Sequence, residues 1–155
     1  MRAILFRGKS LDGEWLRGWY TKALLGAWPL RDCIVPISDA EAGYRHEEEV
    51  LGETVSQYTG VDDVNGNPIF EGDIIAAHLD IDHEPDRVTY GFISWNKEHA
   101  GWSYNEKLPA GFNGTVPDDM DFEDVTGIEE WTVVGNIWDN PELMKGNENS
   151  EHGQV

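Results

Sequence analysis

Six side chains in this 155-residue chain carry the chemistry to hold a flat, anionic ligand: Arg7, Trp15, Arg17, Trp19, Trp95 and Trp102. Indole faces stack on planar rings and attract cations, while a guanidinium fork matches a phosphate. Trp15, Arg17 and Trp19 alternate within a run of strand-type residues, so they fall on one face of a strand. The competing reading is that the tryptophans are core. Seven Trp, five Tyr and five Phe are a heavy aromatic load for one short chain, and aromatic burial dominates small cores, so composition favours that reading.

A second set is acidic: Asp118, Asp119, Asp121, Glu123, Asp124, Glu129 and Glu130, with no basic residue among them. The whole chain carries a net charge of −19, unevenly divided. Residues 1–31 hold six basic residues against two acids, and the remainder holds five against twenty-eight. Such a surface repels nucleic-acid phosphates, so direct nucleic-acid binding is not expected. In the plainest reading the charge keeps the protein soluble. In the sharper one the acidic run docks a basic partner protein, as a nucleic-acid surface would.

Catalysis has little support. Asp80, Asp82, His83, Glu84 and Asp86 cluster in sequence, but they lack the glycine and terminal glutamate of a calcium loop and read as a solvated hairpin tip. The five histidines show no i, i+4 pair, and the single cysteine, Cys33, has no CxxC partner. Cys33 sits in an apolar run where a thiol is packing, and no G-x-S-x-G is present. Glu71 and Asp73 flank Gly72 as turn residues do. No catalytic residue, metal or cofactor is therefore expected.

The elements that must position these residues are short strands. Ala3–Phe6 and Glu14–Thr21 read as a hairpin closed by Ser10–Gly13, and Cys33–Ile37 as a third strand, with Pro36 favouring an edge. Ser38–Gly52 is rich in acids and poor in apolar anchors, so it reads as a surface insertion. Asp62–Asn67 is dense in turn formers, Pro68 opens an edge strand, and Glu71–Asp73 reverses the chain again. Strands follow at 73–79, 87–96, 102–104 and 131–138, a long Gly/Pro/Asp-rich loop spans 108–126, and Pro141 suits a last helical turn.

The stretch QYTGVDDVNGNPIFEGDII, with the opening FRGK…GEW…G and the ending VVGNIWDNPEL, closely resembles the YopX family of small phage and prophage proteins. The resemblance implies a β-barrel fold without an assigned chemistry. We therefore expect a mainly β protein: a small, partly open barrel of the Src-homology-3 type over residues 53–144, an N-terminal β-hairpin with an acidic insertion over 1–52, few short helical turns, and a disordered tail over 145–155.

The lone cysteine and the absence of any long apolar run point to a cytoplasmic protein outside the membrane. The function expected is that of a phage accessory protein that binds a host or phage protein with a basic surface, for example as an inhibitor of a host defence protein. The alternative is a module that sequesters a nucleotide-derived immune signal. The charge division favours a homo-oligomer.

Overall fold

β1 (Phe6–Ser10) and β2 (Trp15–Ala23) form an antiparallel hairpin whose register sets Arg7 opposite Arg17 and Lys9 opposite Trp15. The turn between them needs Gly13, which lies at φ +89°. The computed structural model describes residues 3–81, 84–98, 100–106, 120–121 and 131–144. They form two units: one reaches from the N-terminus to Val61 and includes Pro68–Phe70, and the other comprises Asp62–Asn67 and the chain from Glu71 onward.

In the first unit the sheet runs β1, β2, β3 (Arg31–Pro36), β4 (Glu48–Asp62) and β5 (Pro68–Phe70). An additional β1–β4 pairing closes the first four strands into a ring. β4 makes this possible by changing partners along its length. Its first residues pair with β3, Val50 to Gln57 pair with β1 across a bulge, and its far end meets β5. Gly18 is required by close approach, since a Cβ there would overlap the Val35 carbonyl. Cys33, Ile34, Val50, Ile69 and Phe70 are buried. A short helix, α1 (Ile37–Glu41), and the segment after it lead into β4.

In the second unit the sheet order is β10 (Trp131–Asn136), β6 (Asp73–Ile81), β7 (Glu84–Asn96), β8 (Gly101–Glu106) and β9 (Met120–Asp121), all antiparallel. Ile74, Ile75, Ile93, Trp102, Tyr104 and Trp131 are buried, and the Tyr104 and Trp131 rings meet edge to face at 5.0 Å. The turn Asp63–Asn67 hangs on one carboxylate. Asp63 Oδ1 accepts the backbone N–H of Asn65 and Asn67 at 2.9 and 2.8 Å, and its Oδ2 accepts Val133 N–H at 3.1 Å. A 3-10 turn covers Pro141–Met144, where the sequence places one.

The protein is mainly β, as expected, and among the described residues the ring of paired strands lies in residues 6–62. The hairpin is part of that ring, and residues 73–136 form an open sheet in which no pairing joins β9 to β10 among the described residues. The boundary expected at 52/53 falls inside β4. The acidic insertion shrinks to residues 37–47, because Glu48–Gly52 is already strand. Pro36 does not mark an edge: β3 lies between β2 and β4, and Pro36 ends the strand, where its missing donor interrupts nothing beyond. The first strand begins at Phe6, later than its apolar run suggests. Residues 145–155 lie outside the described residues.

Candidate functional site

A cleft of about 480 Å³ opens over the β2–β3 pair of the first unit, lined by Trp19, Tyr20, Thr21, Val35, Ala40, Gly43, Tyr44 and Arg45. The β2–β3 register sets Trp19 opposite Val35 and Thr21 opposite Cys33, so alternation turns these side chains to one face. The segment after α1 supplies the other wall. Its backbone is fixed by Gly43 N–H to Ala40 O at 3.0 Å and Tyr44 N–H to Asp39 O at 2.8 Å, with Gly43 at φ +82°. Trp19 is 47% exposed and Tyr44 72%. Arg45 Nε donates to Glu47 Oε1 at 2.8 Å, so the cleft's cation already has an internal counter-ion.

The loop joining β2 to β3 adds Leu24, Leu25, Trp28 and Leu30, all exposed, with Trp28 at 76%. Apolar side chains so concentrated on one surface loop keep in water an area whose burial would be favourable, and such concentrations mark contact sites. The sequence signal was there to be read in Leu24-Leu25-Gly26-Ala27-Trp28-Pro29-Leu30, an apolar run inside a turn. Tyr44 and Arg45 carry no comparable signal, because only the fold of 37–47 brings them to Trp19.

Of the six aromatic and arginine candidates, Arg7, Trp15, Arg17 and Trp19 belong to the first unit. Arg7 is only 7% exposed; its Nε donates to Ser56 Oγ at 3.0 Å, and its guanidinium lies 4.7 Å from the Trp15 ring centre and 4.8 Å from that of Phe70. Arg17 stacks on Phe70 at 5.6 Å. Arg7 is thus packed inside the first unit, whereas Trp15 is half-buried and Arg17 exposed. Trp19 alone of the six lines the cleft. Trp95 and Trp102 belong to the second unit, edge to face at 5.0 Å, Trp95 exposed and Trp102 buried.

Of the acidic candidates, Asp118, Asp119, Glu123, Asp124, Glu129 and Glu130 lie outside the described residues, and Asp121 is placed only by its backbone in β9. The cluster Asp80 to Asp86 is likewise described by backbone alone, apart from Asp82 and His83, which lie outside the described residues. Cys33 is fully buried, and that burial pushes its thiol pKa up, away from reactivity. Asp73 is buried within β6 beside the Gly72 turn. No helix among the described residues is long and apolar enough to cross a membrane.

Protein EF1440 from Enterococcus faecalis, known from its crystal structure, is similar in fold, with a TM-score of 0.50 and 20% sequence identity over 94% of this chain and 100% of that one. No curated protein matches the chain in sequence. A family model described as YopX protein matches residues 30–145.

Proposed function

The chain belongs to the YopX protein family, and we propose that it is a phage accessory protein that acts by non-covalent binding to a host or phage protein with a basic surface. The observation that carries this reading is the apolar set Trp19, Leu24, Leu25, Trp28, Leu30 and Tyr44, exposed on one unit. Interfaces draw most of their affinity from a few such aromatic and aliphatic anchors. The net charge of −19 supplies long-range attraction and selects a basic partner. Inhibition of a host defence or nucleic-acid-handling protein is one form this binding would take.

The test is co-purification from the bacterial host, quantified by mass spectrometry, followed by titration with the purified companion. A stoichiometric companion is expected, with affinity falling as salt rises. Affinity that ignores both salt and the apolar anchors sinks the proposal. The uneven charge also supports self-association, and a monomeric mass by light scattering at high concentration removes that part.

A second reading rests on the lining of the cleft. Trp19, Tyr44 and Arg45 suit a planar anion such as a nucleotide. It ranks second because the ligand must displace Glu47 from Arg45. Thermal stability that rises with no nucleotide or dinucleotide counts against it.

A further inference from the structure

Three metal-ligating side chains converge beside the cleft: Asp39 on α1, His46 in the segment after it, and Glu48 at the start of β4. Their ligand atoms all lie within 4.8 Å of one another. His46 Nδ1 is 3.4 Å from Asp39 Oδ2 and 3.7 Å from Glu48 Oε1. A charge-assisted hydrogen bond would draw such a pair to about 2.8 Å. In a tetrahedral zinc site, with bonds of about 2.1 Å, adjacent ligand atoms sit about 3.4 Å apart. Both carboxylates thus face one ring nitrogen at ion-pair distance, and the His46–Asp39 separation of 3.4 Å equals that of adjacent ligands around a tetrahedral ion.

The backbone holds this arrangement independently of any ion. Tyr44 N–H donates to the Asp39 carbonyl, which ties the end of α1 to the segment carrying His46, and the β3–β4 pairing of Ile34 with Glu48 fixes the third ligand. The spacing in sequence conceals the set, because the ligands come from a helix, a connecting segment and a strand. Glu47 between His46 and Glu48 is engaged with Arg45.

We infer that Asp39, His46 and Glu48 form a binding site for a divalent transition metal of the zinc class. One imidazole and two carboxylates match the borderline character of Zn²⁺ better than that of Mg²⁺, which prefers oxygen ligands and water. Three protein ligands leave a fourth position open. Ala40, Tyr44 and Arg45, which neighbour these ligands in sequence, line the cleft, so the ion would offer a cationic partner to an anionic group bound there. Its direct effect on the chain is to clamp residues 37–48.

The experiment is titration of the full chain, stripped with chelator, with Zn²⁺ and separately with Mg²⁺, by calorimetry. One zinc ion per chain is expected, with a rise in melting temperature. His46→Ala, and separately the pair Asp39→Asn with Glu48→Gln, should weaken zinc binding by on the order of tenfold to a hundredfold while leaving the metal-free circular dichroism unchanged. The His46 ring resonance of the unaltered protein should shift on saturation, a readout independent of whether any variant folds. No stoichiometric binding, zinc binding indifferent to both variants, or a His46 resonance that stays in place would each overturn the assignment. Competition by Mg²⁺ at equal concentration would reduce the cluster to an ordinary acidic surface.

Discussion

Tyr20 donates its phenolic hydrogen to Asp32 Oδ1 at 2.6 Å across the β2–β3 ladder, and the same oxygen receives Lys22 Nζ at 3.2 Å. The hydrogen bond to Asp32, with burial and the nearby negative charge, pushes the Tyr20 pKa from 10.0 to about 12. The same bond, joined by Lys22 and opposed by burial, holds the Asp32 carboxyl below its ordinary range.

The sign of each shift fixes a pH window. Tyr20 is raised in the folded state, so its contribution is complete below pH 10 and is lost as the pH climbs toward about 12. Asp32 is lowered, so its contribution is complete above the unfolded carboxylate pKa and is lost as the pH falls through the folded one. Tyr20→Phe keeps the ring against Phe6, 5.7 Å away, and removes only the hydroxyl. It should cost about 1–2 kcal/mol at neutral pH and flatten the alkaline limb of a melting-temperature series. An unchanged alkaline limb would show that the bond does not control it.

Much of this ladder was legible in advance. Trp15, Arg17, Trp19 and Thr21 share a face because strand alternation requires it, and the turn residues of 62–67 announce themselves through Asp, Asn and Gly. β4 was not legible beyond its end, because its buried positions include hydroxyls. Thr54 and Ser56 are as buried as Val50, but Thr54 Oγ1 is satisfied by Leu51 O and Lys9 N–H, and Ser56 Oγ by Arg7. A strand that buries bonded hydroxyls reads as a polar surface, and its acidic first residues, Glu48 and Glu49, continue the acids before them, so Ser38–Gly52 reads as an insertion and the ring as a hairpin. The cleft was hidden for a different reason: Trp19 meets Tyr44 and Arg45 only through tertiary folding.

Asp63 should be the least replaceable residue of the Asp63–Asn67 turn. Burial acts to raise its carboxyl pKa, but hydrogen bonds from Asn67, Val133 and Asn65 outweigh that and hold it below the ordinary range. Asp63→Ala leaves several backbone donors without their acceptor and should destabilise by about 2–4 kcal/mol. Asp63→Asn keeps one acceptor oxygen and should cost less. Because the folded pKa is lowered, the difference between wild type and Asp63→Asn should shrink as the pH falls through the carboxylate range in urea titrations. A pH-independent difference would refute this.

Arg7 offers a test of framework against ligand contact. Its planar guanidinium lies between the Trp15 and Phe70 rings and reaches Ser56, a geometry that an ammonium cannot reproduce. Arg7→Lys should therefore lower stability by about 1–3 kcal/mol in denaturant unfolding. Unaltered stability, with loss of binding alone, would return Arg7 to the candidate ligand contacts.

The β2–β3 loop should behave in the opposite way. Leu25 and Trp28 are exposed, so Leu25→Ser with Trp28→Ser removes little that folding buries, and the melting free energy should change by no more than about 0.5 kcal/mol per site. If the loop anchors a partner, the same pair of changes should weaken that association by 2 kcal/mol or more, about 30-fold. Exposed apolar groups that only tolerate solvent would leave affinity intact and improve solubility. Measuring unfolding and partner affinity on one preparation separates these cases, because a structural role moves the first quantity and a docking role the second.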